Sequence, residues 1–293
     1  MGSFWNSLVI PWTRDRFTPV LRACALDAPS AQLATEADRP RLAEFLEQYF
    51  GTGRVVLKPV LDPSNEIILW IGDDRAVLAT IRYKSGGMFE GQPIHLIDCF
   101  CIHPSVRRTG LASKLLGALH RHTNQRTLRY SLFLKEGNPL PHHEPLYSSS
   151  YAFRRVARTR PSEDLKALSP RLAAALIGHY RHLRPDTVWI YNETGANQNW
   201  RFWKRGMHWM LACVQDAFQE LDGLRIGWMT AFFASDTYDI NQIVENLPFD
   251  WIWLDVRWLR GASDAWTLDM PFHWYAYQWT TCLQIQDFYG IVL

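Results

Sequence analysis

A mixed α/β (α+β) fold, made of two halves of related architecture, is predicted by three features of the sequence. Helical and strand-like periodicities alternate along the chain instead of separating into blocks. The alternation reads α, β, β, β, α, β once, and a second mixed run of helices and strands follows it. Between the two runs lies a segment rich in Pro, His and Ser, Gly137 to Ser150, after which the composition shifts: 11 of the 14 tryptophans lie from Trp189 onward. A boundary near Pro161 therefore divides the chain into 1–160 and 161–293, with two sheets that either stand apart or merge into one. At 293 residues, 47% hydrophobic and 20% charged, the chain buries a sizeable core, which excludes disorder and fibrous classes.

In order, Leu42, Phe45, Leu46, Tyr49 and Phe50 form the stripe of an amphipathic helix over Thr35–Phe50 that Gly51 stops. Strands are predicted over Glu66–Ile71 and Ala76–Tyr83, joined in a hairpin by Gly72-Asp73-Asp74. A third strand, Ile94–Ile102, ends before Pro104, and a helix over Leu111–His122 carries Leu111, Leu115 and Leu119 on one face. Another strand follows at Leu128–Leu134. In the second half the pattern predicts a helix over Ser162–His182, a strand Thr187–Tyr191, a helix Trp200–Leu221 and a strand Arg225–Phe233. A short helix at Tyr238–Asn246 precedes strands at Trp251–Leu259 and Phe272–Trp279. The many tryptophans read as core and groove filling rather than as a carbohydrate platform.

Formal charge is +2, from 31 Lys and Arg against 29 Asp and Glu, so bulk electrostatics predict no nucleic-acid partner. Five cysteines, Cys24, Cys99, Cys101, Cys213 and Cys282, form no CxxC pair. They point to free thiols in a reducing compartment rather than to disulfides or zinc. The histidines at 120, 122, 142 and 143 lack the carboxylate or cysteine that would complete a ligand set, so no metal is expected. There is no apolar run of membrane-spanning length, and Arg14, Asp15 and Arg16 interrupt the place of a signal peptide. A soluble cytoplasmic protein is expected.

The chemistry concentrates in Asp98-Cys99-Phe100-Cys101-Ile102-His103-Pro104-Ser105-Val106-Arg107-Arg108-Thr109-Gly110-Leu111-Ala112. A strand here runs into a basic, glycine-containing turn and then a helix, whose N-terminal N–H groups suit a pyrophosphate. Arg107, Gly110 and Ala112 make an RxxGxA pattern, and the whole unit resembles the acyl-CoA signature of the GNAT superfamily. The stretch Ile97–Leu116, with its hydrophobic-Cys-hydrophobic-His strand end, resembles more narrowly the N-myristoyltransferase family. Three further segments match that family in order. Phe4-Trp5-Asn6-Ser7 with Val9-Ile10-Pro11 is similar to its FW(D/S)(T)QPVP segment. Gly137-Asn138-Pro139-Leu140-Pro141 with Tyr151 and Arg154 is similar to its AGxxLP and RYWHR region. Trp274-Tyr275-Ala276-Tyr277-Gln278-Trp279 is similar to its YYLYNW strand, and Gly290-Ile291-Val292-Leu293 to its apolar C-terminus. The resemblance also has departures. The chain is shorter than the eukaryotic enzymes, mainly in its second half, and Lys135, Glu136 and Asp98 stand where the family has threonine, alanine and asparagine.

The resemblance implies a GNAT-like fold of two tandem pseudo-symmetric halves around a central mixed sheet: an N-terminal half that binds acyl-CoA and a C-terminal half that completes a peptide groove and supplies the terminal carboxylate. It implies myristoyl-CoA as co-substrate, without metal, held by Phe4, Trp5, Cys101, Ile102, Arg107, Arg108, Thr109, Gly110, Leu111 and Ala112. The oxyanion hole would be the backbone N–H groups of Cys99 and Phe100 where the strand bulges. The α-carboxylate of Leu293 would be the base and Asp98 a second candidate to hold or deprotonate the amine. Lys135, Gly137, Tyr191 and Asn192 would contact the substrate. The implied partner is a protein or peptide with an N-terminal glycine, and the enzyme is expected to act as a monomer. Two alternatives stay open. One is a GNAT acetyltransferase using acetyl-CoA on an amine or lysine, and the other a non-catalytic acyl-CoA or lipopeptide-binding protein, suggested by Lys135 and Glu136 at the amine site.

Overall fold

The computed structural model describes residues 18–19, 31–51, 54–73, 75–89, 92–125, 130–141, 143–157, 163–181, 187–189, 197–235, 237–260, 265–277, 279–280 and 287–289. The first half runs β1 (Thr18–Pro19), β2 (Gln32–Leu33), α1 (Arg39–Tyr49), β3 (Val55–Leu57), β4 (Ile67–Gly72), β5 (Val77–Phe89), β6 (Gln92–Ile102), α2 (Leu111–Gln125), β7 (Ser131–Glu136) and β8 (Tyr147–Arg155). The second runs β9 (Leu165–Leu168), α3 (Pro170–Arg181), β10 (Thr187–Trp189), β11 (Asn199–Arg205), β12 (His208–Leu221), β13 (Leu224–Ala234), α4 (Asn241–Val244), β14 (Trp251–Asp255), β15 (Thr267–Tyr277), β16 (Trp279–Thr280) and β17 (Asp287–Tyr289). Both predicted helices of the first half form, and their apolar stripes face the sheet. Ahead of α1, Asp38 accepts a hydrogen bond from the Thr35 N–H at 2.8 Å, and a proline occupies the first turn. Leu42, Phe45 and Leu46 of α1 pack on Ile68, Trp70, Cys99 and Cys101, while Leu115, Leu116 and Leu119 of α2 pack on Ile67, Leu69, Ile71, Ile81 and Ile97. Alternate residues of β4 serve the two helices, so α1 and α2 cover opposite faces of one sheet. Each leucine so buried contributes about 2 kcal/mol.

Among the described residues the main sheet has 13 strands, in the order β2-β4-β5-β6-β7-β15-β8-β14-β13-β12-β11-β9, with β3 paired to β12. The order contains a repeat. β2-β4-β5-β6-β7 is an antiparallel run whose last pair, β6 with β7, is parallel across α2; β9-β11-β12-β13-β14 is the same run, with β13 and β14 parallel across α4. The strands that continue each half are then exchanged. β8, from the first half, pairs with β14 of the second, and β15, from the second, pairs with β7 of the first. Two pseudo-symmetric halves thus share one mixed sheet, the merged alternative rather than two separate sheets.

Three expectations are corrected. The helix expected over Trp200–Leu221 is the antiparallel pair β11 and β12, joined by a turn in which Gly206 has φ +60°. The buried run Met210–Gln215 faces core on both sides, and such a run carries no period that separates strand from helix. The helix expected over Ser162–His182 begins only at Pro170, capped by Ser169, whose Oγ accepts from the Leu172 N–H at 3.3 Å; β9 precedes it. The segment Gly137–Ser150, expected to be loop throughout, re-enters the sheet at Tyr147, because Ser149 is buried in line with Tyr147 and Tyr151. Smaller shifts bring Ser131–Glu136 into β7 instead of Leu128–Leu134, whose first two residues lie outside the described residues. They also end the strand at Trp251 with a 3-10 turn from Val256. The short helix expected at Tyr238–Asn246 is confined to Asn241–Val244.

Candidate active site

The site begins with a defect in an otherwise regular ladder. Thr80 pairs with Cys101 and Arg82 with Asp98, so Ile81 alone stands opposite Cys99 and Phe100. This is a β-bulge, and Cys99 takes φ +48°, the left-handed conformation that turns its backbone out of the pleat. A bulge leaves backbone groups of the extra residue unpaired along the strand. Here the Cys99 carbonyl is taken up by the Thr80 hydroxyl, which donates to it at 2.8 Å in a buried position. On the other edge of β6 the parallel pairing with β7 runs from His95–Ser131 to Ile97–Phe133 and then stops, although β6 continues to Ile102 and β7 to Glu136. The strands separate just ahead of Cys99, which puts the bulge at the mouth of a fork in the sheet.

Beyond β6 the chain forms a basic turn. His103 caps a 3-10 turn over Pro104–Val106, its Nδ1 accepting from the Ser105 N–H at 3.2 Å. Its ring sits edge-on to Tyr49, centroids 4.6 Å apart. Arg107 donates through Nε to the Ile102 carbonyl at 3.1 Å, and the Thr109 hydroxyl donates to Val106 O at 2.7 Å. These bonds fold the turn onto the strand end and leave Arg107, Arg108, Thr109 and Gly110 exposed. Arg108 and Gly110 both have positive φ, +69° and +84°. Two left-handed residues in three turn the chain sharply into α2, whose first N–H groups have no partner within the helix. Free N–H groups at a helix start that follow two arginines in sequence are the chemistry that suits an anion.

Beneath the bulge lies a charge cluster. Asp98 receives Arg82 in bidentate fashion, Nε at 2.7 Å and Nη2 at 2.8 Å, and Lys84 Nζ stands 3.2 Å from its Oδ2. Arg82 Nη1 donates to the Val60 carbonyl at 2.7 Å and lies 3.5 Å from Glu66. Burial alone would raise the Asp98 carboxyl, but the Arg82 and Lys84 charges hold it well below the usual carboxylate range, and the same pairing raises Arg82. Both Asp98 oxygens are engaged by cations, which anchors the carboxylate beside the bulge. Burial raises the Cys99 thiol far above its ordinary value and pushes Cys101 up to about 11. Neither is a thiolate nucleophile near neutrality.

At the far end of β7, Lys135 Nζ donates to the Glu136 carbonyl at 2.6 Å. Gly137, at φ +74°, donates its N–H to Pro271 O at 2.9 Å and accepts from His273 Nε2 at 2.8 Å. His273 Nδ1 meets Ser148 Oγ at 2.8 Å. Phe4, Trp5, Tyr191, Asn192 and Leu293 lie outside the described residues. The structure therefore gathers Asp98 to Ala112 and sets Lys135 on the strand that forms the other arm of the fork. Sequence reasoning passed over Thr80, Arg82, Lys84 and His273. The signal for two of them was present: Arg82 and Lys84 sit two apart in a strand whose neighbours are apolar, so both point to one face, where a buried partner is required.

The second half repeats the bulge but not the turn. Cys213 pairs with Ala231 and Val214 with Met229, leaving Thr230 as the extra residue, two positions beyond the last parallel pair, Trp228–Trp253. Phe232, Phe233, Ile243 and Trp258 are all buried in one cluster. The following segment reads Ser235-Asp236-Thr237-Tyr238-Asp239, acidic where the first half is basic. Of the two forks, the first is followed in sequence by a basic turn and the second by an acidic one.

The forked sheet with a bulged strand and a basic, glycine-containing turn defines the class: a GNAT-type fold in duplicate. No family model and no curated protein matches the chain. Its fold matches Saccharomyces cerevisiae N-myristoyltransferase. The crystal structure with bound myristoyl-CoA and inhibitors superposes with a TM-score of 0.68 over 100% of this chain and 96% of that one, at 10% identity. Structures with bound myristoyl-CoA give 0.66 over 99% and 93% at 9% identity, and 0.63 over 95% and 93% at 11% identity. Among the described residues no helix is long and apolar enough to cross a membrane.

Proposed function

We propose that this protein is an acyl-CoA-dependent N-acyltransferase that moves a myristoyl group to the N-terminal glycine amine of a protein. One observation carries the reading. The left-handed Cys99 bulge stands at the mouth of the β6–β7 fork, followed in sequence by the Arg107–Ala112 turn, in a chain whose whole length shares its fold with a myristoyl-CoA-bound transferase. In this reading the turn holds the pyrophosphate of acyl-CoA, Phe4 and Trp5 close over it, and the thioester reaches the fork. The substrate amine attacks the thioester carbon, the carbonyl oxygen gains charge toward the N–H groups of Cys99 and Phe100, and the C–S bond breaks to release CoA. A glycine amine has a pKa of about 8, so its deprotonation costs about 1.4 kcal/mol at pH 7, and a weak base such as the Leu293 carboxylate suffices. Lys135, Gly137, Tyr191 and Asn192 border the acceptor. The N-terminal half, 1–160, serves the acyl-CoA and 161–293 the peptide, in a monomer of the cytoplasm.

The test supplies an equimolar pool of acetyl-, lauroyl-, myristoyl- and palmitoyl-CoA and a glycine-initiated peptide with an internal lysine, and reads product mass and site. A myristoyl adduct on the glycine amine is expected. An acetyl adduct on lysine would replace the reading with a general acetyltransferase. Tight acyl-CoA binding without product would favour a binding protein, the reading that a lysine at position 135 supports.

A further inference from the structure

We propose that Thr80 is a positioning residue of the acyltransfer site: its hydroxyl, bonded to the Cys99 carbonyl, fixes the Cys99–Phe100 peptide so that the Phe100 N–H faces the fork. This role rests on the acyltransfer reading and concerns the orientation of one of the two N–H groups in it. Covalent geometry is the first support. The Cys99–Phe100 peptide is trans, and the C=O and N–H of a planar trans peptide point in opposite directions. Thr80 stands on β5 and donates from Oγ1 to the Cys99 carbonyl at 2.8 Å. In the sheet β6 lies between β5 and β7. With its carbonyl drawn to Thr80, the peptide directs the Phe100 N–H away from β5, toward the side on which β6 has parted from β7 beyond Ile97–Phe133. A peptide turned by half a rotation would put the carbonyl there instead, an acceptor where the thioester oxygen gains negative charge.

The second support is that the ladder itself does not fix this peptide. Pairing steps from Arg82–Asp98 to Thr80–Cys101, and neither Cys99 nor Phe100 has a partner residue of its own. Cys99 is left-handed at φ +48°, an unfavourable conformation for a residue with a side chain, which persists only where its surroundings hold it. Thr80 is 1% accessible, and a buried carbonyl deprived of its donor is costly. The hydroxyl therefore selects one orientation of the peptide. The third support is internal comparison. In the second-half bulge the rung after the extra residue is Cys213–Ala231, so a cysteine, whose thiol is a weak donor, stands where the first half has Thr80. The extra residue there, Thr230, is not left-handed. Hydroxyl clamp and left-handed bulge thus occur together, in the half whose bulged strand leads to the Arg107–Ala112 turn.

Thr80→Val keeps the branched shape and removes the donor, Thr80→Cys keeps the size and weakens the donor, and Thr80→Ser keeps the hydroxyl. Transfer from myristoyl-CoA to the glycine peptide is measured for each and for the unaltered protein, with acyl-CoA affinity by calorimetry. Infrared difference spectra of bound myristoyl-CoA, isotope-labelled at its thioester carbonyl, report the hydrogen bonds to that oxygen without turnover. For Thr80→Val the expected result is a fall in kcat of about ten- to a hundred-fold, with peptide KM and acyl-CoA Kd within about two-fold. Its carbonyl band is expected to move back toward the position of free myristoyl-CoA. Thr80→Cys is expected to follow Thr80→Val, and Thr80→Ser to retain most of the rate and the bound band position. Thr80→Val and Thr80→Cys proteins that transfer at the original rate, that slow only as far as acyl-CoA affinity drops, or that leave the band unmoved would overturn the proposal and leave the acyltransferase reading intact. Two variants that no longer fold would make Thr80 purely structural and equally overturn it. If the unaltered protein moves no acyl group from any acyl-CoA, the reading itself fails and takes this proposal with it.

Discussion

Gly110 and Cys99 adopt the same left-handed conformation for opposite reasons, and substitution separates them. At Gly110, φ +84°, no protein atom comes within 4 Å of the point where a Cβ would project, so the space is one the protein itself does not use. Gly110→Ala costs about 1 kcal/mol through its backbone conformation alone. A phosphate drawn to the turn's N–H groups would meet that methyl, so acyl-CoA affinity is expected to weaken about tenfold. Thermal unfolding together with titration of acyl-CoA checks both; unchanged affinity would remove the turn from the binding site. In the proposed reaction Cys99, at φ +48°, contributes only its backbone, and burial raises its thiol well above the ordinary value. Cys99→Ala is therefore expected to keep transfer within about three-fold. Iodoacetamide at pH 8 is expected to leave Cys99 and Cys101 unlabelled in the folded protein, as intact mass would show, since Cys101 titrates only at about 11.

Strand pairing decides how the Arg82–Asp98–Lys84 cluster responds to acid. The folded Asp98 carboxyl lies below its ordinary 3.8, so its stabilising contribution is complete above that value and is lost as pH falls below it, where the unfolded chain takes up the proton first. Asp98→Asn removes the carboxylate that both cations share and leaves Glu66, 3.5 Å from Arg82, as the remaining acidic partner. The cost at pH 7 is about 3 kcal/mol, the low end for a broken buried pair, because 27% of the Asp98 side chain is still accessible. Urea unfolding of the two proteins should show that gap at pH 7 and a narrower one at pH 3; a gap that widened in acid would reverse the assignment of charge. The elements carrying this site were legible in the sequence where one face is apolar and the other is not, as in α1 and α2 with their leucine stripes. The Arg107–Ala112 turn was legible because glycine and arginine spacing is local. The bulge itself has no composition of its own: it exists through the pairing of Asp98 with Arg82, 16 residues away. The β11–β12 hairpin was misread for a related reason, since a strand covered on both faces has lost the alternation that marks it.

The exchange of β8 and β15 is the feature no local pattern announces, and it determines how the molecule holds together. Within the first half β7 ends as an edge after pairing with β6, and its other edge is completed by β15 through Phe272–Glu136 to Tyr277–Ser131. Reciprocally, β14 is completed by β8 through Trp251–Arg155 to Asp255–Tyr151. The aromatic cluster at the junction draws on both halves, with Tyr147 and Tyr151 from the first and Trp228, Trp253, Phe272 and Trp274 from the second. Tyr151 lies 4.8 Å from Trp253 and 5.0 Å from Phe272, ring to ring. Cutting the chain between the halves would expose these rings and leave two long unpaired strand edges, a combination that favours aggregation over independent folding. The full chain is accordingly expected to unfold in one cooperative transition by circular dichroism and tryptophan fluorescence, with coincident midpoints. Residues 1–160 and 161–293 expressed separately are expected to be insoluble, and expressed together to reassemble into a soluble complex. Two transitions, or a soluble first half with native-like exchange protection in β5 and β6, would show that the halves are independent folding units and that the exchanged strands dock late.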